Sequence, residues 1–250
     1  ARFTTAMLDE GTTSLDSAEI ARRREGLGMT LATGCGLDAC SVTASMLNAQ
    51  LAPSLALLAD VVRNPAFNPA DIERERAQWL AGIAQEKTQP TGLALRTLPP
   101  LLYGKGHPYG IPPTGSGTEA AIQALDADKL RAWHAAWLRP DNVRILVAGD
   151  TTLEAITAKL DAAFGDWKAP AVAKGEKLIP EVANQAAPRV FLIDKPGAQQ
   201  SLILAGLLAP PTTADNNLEI QTMNGAFGGT FTSRLNMNLR EDKHWAYGAY

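Results

Sequence analysis

Two short runs of alternating apolar and polar residues, 29–35 and 39–47, are separated only by Gly36-Leu37-Asp38. A period of two is that of a half-buried strand, and so short a turn forces the two strands to run antiparallel. Around this hairpin the period becomes helical. Residues 17–27 read as an amphipathic helix capped by Ser14 or Ser17 and closed by Gly26 and Gly28. Residues 51–63 place Leu55, Leu58 and Val62 on one face before Asn64-Pro65 ends the helix. Pro69 opens a long charged helix to about Glu86. A shorter helix over 93–98 is expected to break or kink at Pro99-Pro100. The stretch 104–117 is rich in Gly and Pro and reads as loop.

Helices follow at 128–138 and 153–164, with a strand at 143–150 between them. Over 169–188 periodicity fades and Pro recurs, which marks a linker. Beyond it lie strands at 189–194 and 200–207, helices at 214–227 and 231–240, and a strand from Ala246. Hairpin strands mixed with helix pairs, without strict strand–helix alternation, predict an α+β fold of antiparallel sheets flanked by helices. The expected organisation is a first domain over 1–168, a linker over 169–188 and the start of a second, similar domain over 189–250. The chain opens in mid-pattern at Ala1-Arg2-Phe3 and reads as part of a longer polypeptide, its first domain without N-terminal strands and its second truncated.

Charge narrows the function. The net charge is −3 and Lys and Arg are dispersed, so no basic face suits a phosphate backbone and nucleic acid is not an expected partner. No apolar run reaches the roughly 20 residues of a membrane-spanning helix. Cys35 and Cys40 are the only cysteines. Their plainer reading is a pair of small half-buried thiols. If they face each other across the hairpin they form a short-loop disulfide, which points to an oxidising compartment.

Several local patterns occur in a fixed order. Ala6-Met7-Leu8-Asp9-Glu10-Gly11-Thr12 precedes a capped helix, and Asn64-Pro65-Ala66-Phe67 leads into the helix with Glu73-Arg74-Glu75-Arg76. Gly106-His107-Pro108-Tyr109-Gly110 and Arg139-Pro140-Asp141-Asn142 follow. Last comes Gly228-Gly229-Thr230-Phe231-Thr232-Ser233-Arg234-Leu235, running on to Leu239-Arg240-Glu241 and Ala246-Tyr247. Together, over essentially the whole chain, they resemble the pitrilysin/insulinase family of zinc peptidases, which includes the mitochondrial processing peptidase.

Active members of that family carry an inverted H-x-x-E-H helix shortly before a Gly-Thr pair. Two imidazoles one turn apart hold zinc, a carboxylate beside them activates water, and a glutamate on a later helix completes the ligands. The resemblance places the histidines at Arg2 and Ala6, the base at Thr5, the distal ligand at Gly82 and a supporting carboxylate at Glu75. The chain therefore has Arg, Thr, Ala and Gly where this chemistry demands His, Glu, His and Glu. Its three histidines, His107, His134 and His244, have no second histidine three or four residues away. The expectation is no metal or cofactor in this chain.

In the same family a second domain or partner subunit contributes an Arg and a Tyr seven residues apart, here Arg240 and Tyr247. A guanidinium fork holds a peptide carbonyl or carboxylate, and a phenol donates to the developing oxyanion. Family members usually have Gly shortly before that Tyr, where this chain has His244-Trp245. The resemblance thus implies the non-catalytic subunit of a heterodimeric zinc peptidase. It would enclose peptide substrate and supply Arg240 and Tyr247 to a zinc-bearing homologous partner. The alternative is a scaffold of the same fold with no role in proteolysis. The compartment expected is the periplasm, with the cytoplasm as alternative.

The remaining polar residues have plainer readings. His107 is expected to pack its loop, His134 to sit on a helix between Trp133 and Trp137, and Arg234 to be structural. His244 reads as a turn residue. Gly115-Ser116-Gly117 lacks the G-x-S-x-G spacing of a nucleophile elbow and has no preceding strand.

Overall fold

The computed structural model describes residues 1–184 and 187–250. The chain forms two compact units: residues 1–182 with 187–205, and residues 206–250 with 183–184. Both are α+β or helical in character, and the described sheet is one antiparallel hairpin flanked by helices.

In the larger unit, α1 (Arg2–Ala6) precedes α2 (Ser17–Leu27), β1 (Thr30–Cys35) and β2 (Cys40–Ser45). Helices α3 (Leu51–Arg63), α4 (Pro69–Thr88), α5 (Pro90–Tyr103), α6 (Glu119–Gln123), α7 (Ala127–Trp137) and α8 (Leu153–Phe164) follow. Side chains fix the helix starts. Asp16, rather than Ser14 or Ser17, caps α2 by accepting from the Glu19 N–H at 2.7 Å, and Gly28 closes it in the left-handed conformation. Asp126 and Thr152 cap α7 and α8 in the same way.

The hairpin pairs Thr30 with Ser45 through to Cys35 with Cys40. This register sets the two cysteines directly opposite, and they form a disulfide rather than the two thiols of the plainer reading. The turn is held to its surroundings as well. The Asp38 carboxylate accepts from the Tyr109 hydroxyl at 2.5 Å and pairs with Lys177.

Phe3, Met7, Leu8, Ile20, Leu31, Val61, Phe67, Ile72, Ile83 and Leu130 form the core, to which α1–α4, β1 and α7 contribute. Leu130 is fully buried. Leu130→Ala is expected to destabilise this unit by about 2–5 kcal/mol, as urea denaturation would measure.

Two sequence expectations change. Helix α5 runs unbroken through Pro99 and Pro100 to Tyr103, where a break or kink is expected at that pair. Proline's fixed φ is helical, so each costs a ladder bond and some crowding without forcing an end. The segments expected as strands at 143–150, 189–194, 200–207 and from Ala246 have no ladder partner among the described residues. Leu146, Val190, Leu192 and Ile203 accordingly stand exposed. An alternating pattern supplies a strand's faces, whereas the strand itself needs a neighbour to satisfy its N–H and C=O groups. No described helix is long and apolar enough to cross a membrane.

In the smaller unit, α9 (Asn217–Asn224) runs into a π-helical turn (Gly225–Gly229). Ser233 caps a short α10 (Arg234–Asn236), which continues as a second π-helical stretch (Met237–Asp242). Helix starts at Arg234 rather than at the expected 231, because the Ser233 hydroxyl accepts from the Asn236 N–H and fixes the first turn there.

Candidate functional site

The Gly228-Gly229 pair lets the smaller unit turn back on itself. A Cβ on Gly228 would lie 3.1 Å from Leu235 Cδ1, and one on Gly229 would lie 3.2 Å from the Asn224 carbonyl. The turn that follows is tied by Thr230, whose hydroxyl donates to the Gly225 carbonyl at 3.0 Å. It delivers Phe231 to the face of the second π-helical stretch. The Arg240 guanidinium carbon lies 4.8 Å from the centre of the Phe231 ring and 5.5 Å from that of Tyr247. Both separations lie within cation–π range. Arg240 Nε also lies 3.4 Å from a Glu241 carboxylate oxygen. Tyr247 is 89% exposed. The structure thus brings together the two residues that sequence reasoning singled out, with a second aromatic ring, that of Phe231, beside Arg240.

Chain reversal between Arg240 and Tyr247 depends on His244. Its φ of 56° is the left-handed conformation that glycine adopts most readily. The geometry is kept despite the side chain, closed by the Lys243 N–H to the Asn238 carbonyl and the Trp245 N–H to the Leu239 carbonyl.

Sequence reasoning missed Phe231 and Asn236. Asn236 is 3% exposed. Its amide nitrogen donates to the Phe231 carbonyl at 2.7 Å, and its oxygen accepts from the Ala249 N–H at 3.1 Å. The available signal was the Ser233-x-x-Asn236 spacing of a capped first turn.

In the larger unit, the positions at which the resemblance places zinc ligands carry side chains that do not fit a zinc ion. Arg2 is a cation, and Ala6 and Gly82 carry no donor atom. Thr5 is buried, its hydroxyl donating to the Arg2 carbonyl at 3.0 Å and lying 3.4 Å from Cys35 Sγ. Phe3 packs edge-on against Trp79 at 5.3 Å, which joins α1 to α4. Glu75 accepts from Arg74 at 2.6 Å, and Arg74 also pairs with Glu10 and Asp71. Those carboxylates raise the Arg74 pKa, Glu10 having the largest effect. Among the described residues no three His, Cys, Asp or Glu side chains converge as metal ligands.

The other histidines are held in packing roles. His107 Nδ1 accepts from the Tyr109 N–H at 3.0 Å, so Nε2 donates to the Pro180 carbonyl at 3.0 Å. Its ring stacks on Tyr103 at 5.1 Å. Ser116 is bonded to Glu86 and Arg96, each at 2.8 Å, in a knot that anchors the Gly/Pro loop. Burial pushes the Glu86 pKa up, but the hydrogen bonds from Ser116, Arg96 and Thr114 outweigh it and hold it below its ordinary value.

His134 donates from Nε2 to the Val62 carbonyl, 2.8 Å away, and meets Phe67 edge-on. Burial lowers its pKa, and the bond to Val62 offsets this in part. The folded chain therefore takes up this proton less readily than the unfolded chain. The stability at stake is complete above about pH 6.5 and is lost as pH falls through that value towards the folded pKa. His134→Gln keeps a donor for Val62 and is expected to flatten stability between about pH 7 and pH 5. Urea midpoints at the two pH values, compared with the unsubstituted chain, check this; equal pH slopes contradict it.

Comparison with known proteins bears on family and fold. Residues 1–107 match the family model described as insulinase (peptidase family M16), and residues 124–250 match that described as the peptidase M16 inactive domain. The chain is 25% identical to a Bacillus subtilis protein named uncharacterized zinc protease YmxG, covering 99% of this chain and 58% of that one. It is 22% identical to a Helicobacter pylori protein named non-peptidase homolog YmxG, covering 100% of this chain and 56% of the relative. A crystal structure of a peptidase M16 inactive domain from Pseudomonas fluorescens superposes with a TM-score of 0.79 at 25% identity, covering 100% of this chain and 59% of that one. The chain therefore spans somewhat over half the length of the relatives it matches. Ordered motifs, fold and the matches over both parts of the sequence lead to one conclusion: this chain belongs to the M16 (insulinase) family of peptidases.

Proposed function

We propose that this chain is the non-catalytic subunit of a heterodimeric zinc peptidase of the M16 family, and that it supplies Arg240 and Tyr247 to the partner's active site. The observation that carries this reading is an asymmetry of chemistry. Positions 2, 5, 6 and 82 have lost every imidazole and carboxylate, whereas Arg240 and Tyr247 stand side by side, the tyrosine open to solvent. The Arg240 fork suits a peptide carbonyl or terminal carboxylate. The Tyr247 hydroxyl suits donation to the oxyanion that develops on the scissile carbonyl. Zinc belongs, on this reading, to the partner and not to this chain.

A scaffold without a role in proteolysis has no physical need to keep both residues in contact. The Cys35–Cys40 disulfide supports an oxidising compartment, and we assign the protein to the periplasm. Mixing this chain with a homologue that carries an intact H-x-x-E-H helix, and following hydrolysis of an extended peptide, tests the reading. Turnover that depends on both chains supports it; a stable complex without turnover favours the scaffold.

A further inference from the structure

We propose that Asn236 is a positioning residue, whose side-chain amide clamps the Phe231 turn to the segment carrying Tyr247 and so holds Arg240 between the two aromatic rings. Both ends of the amide are used. One donates to the Phe231 carbonyl at 2.7 Å and the other accepts from the Ala249 N–H at 3.1 Å. Asn236 is buried, so no water replaces either bond readily. Its own position is fixed by the Ser233 hydroxyl, which accepts from the Asn236 N–H, and Ser233 is buried too.

Asn236 lies four residues before Arg240, close to one turn of the π-helical stretch, and two backbone groups separate its acceptor bond from Tyr247. It thus bonds the backbone of Phe231 and of Ala249, close to both rings, and none of the described hydrogen bonds joins it to the guanidinium. Few side chains meet this demand. An aspartate accepts from Ala249 but, when ionised, has no proton for Phe231. An alanine leaves a buried carbonyl and a buried N–H without partners. Arg240 is held by faces of rings and by one long contact to Glu241, so the rings' placement decides where its fork points.

A catalytic consequence of this clamp rests on the function proposed above; the clamp itself does not. The test is NMR of the Arg240 side chain in the full chain, where ring currents from Phe231 and Tyr247 displace its δ-methylene and Nε–H signals. Asn236→Ala is expected to return these signals towards their free-arginine positions. In the complex with a zinc-bearing homologue, it should lower kcat by about 10- to 100-fold while KM changes little. Should Asn236→Ala fail to fold, Asn236→Asp replaces it. Its displacement should be lost at neutral pH and recover as the carboxyl takes up a proton and regains a donor. Displacement that survives in Asn236→Ala, or in ionised Asn236→Asp, overturns the proposal. If Tyr247→Phe leaves turnover of the complex unchanged, the functional reading fails, and the NMR result still decides the role of Asn236.

Discussion

Tyr247→Phe is expected to lower kcat of the reconstituted complex by about 10²–10³-fold with KM nearly unchanged, the loss that follows removal of one oxyanion donor. The substitution deletes a single oxygen. The ring that lies against Arg240 remains, as does the backbone that Asn236 holds through Ala249. Tyr247 is exposed and none of the described hydrogen bonds uses its hydroxyl, so folding should be unaffected. Equal loss in kcat and kcat/KM would identify an interaction made only in the transition state. A rise in KM alone would assign the tyrosine to substrate binding instead.

The second large effect concerns the correspondences at positions 2, 6 and 82. Arg2→His, Ala6→His and Gly82→Glu together are expected to give a chain that takes up about one zinc ion, where the unsubstituted chain takes up none stoichiometrically. Residues 2 and 6 are four apart on α1 and share a face. Helix α4 is packed against α1 through Trp79 and Phe3, and a side chain at Gly82 begins in open space, with nothing within 4 Å of its Cβ. The Arg2 side chain fills the space that a Cβ at Gly115 would take, so replacing Arg2 opens room there. Because Thr5 is left in place, the one carboxylate at the metal is a ligand and none is free to act as base on bound water, so uptake without hydrolysis is the expected pattern. Metal analysis after dialysis reads the result. A folded triple variant without zinc would mean that these positions do not correspond to ligands.

Much of the fold was legible where a residue's local chemistry decides its conformation. The ends of α3 and α8 follow from proline, asparagine and caps, and the hairpin follows from Gly36-Leu37-Asp38. What was not legible depends on neighbours. The pair Pro99-Pro100 reads as a stop until the surrounding helix tolerates it. The disulfide depends on register, which alternation alone leaves open between one pairing and the next. Residues 143–150 have a strand's pattern, yet no described strand pairs with them.

The site divides in the same way. Arg240 and Tyr247 were found through resemblance to a family, because the pair spans a helix end and a turn, where no single period holds. Phe231 and Asn236 escaped because their contacts arise from a glycine turn and a π-helical stretch, and both change which residues share a face. His244 shows the converse. Against the glycine that the resemblance implies shortly before Tyr247, its sequence reads as a departure, yet the backbone takes the left-handed conformation all the same.

The central claim is that this chain completes an active site that lies in another subunit. The most direct test is to titrate it into a fixed amount of an M16 homologue with an intact H-x-x-E-H helix and record the rate of peptide hydrolysis. Neither chain is expected to hydrolyse the peptide alone, and the rate is expected to rise and level off at about one chain per partner. Full activity of the homologue without this chain, or hydrolysis by this chain with tightly held zinc of its own, would contradict it.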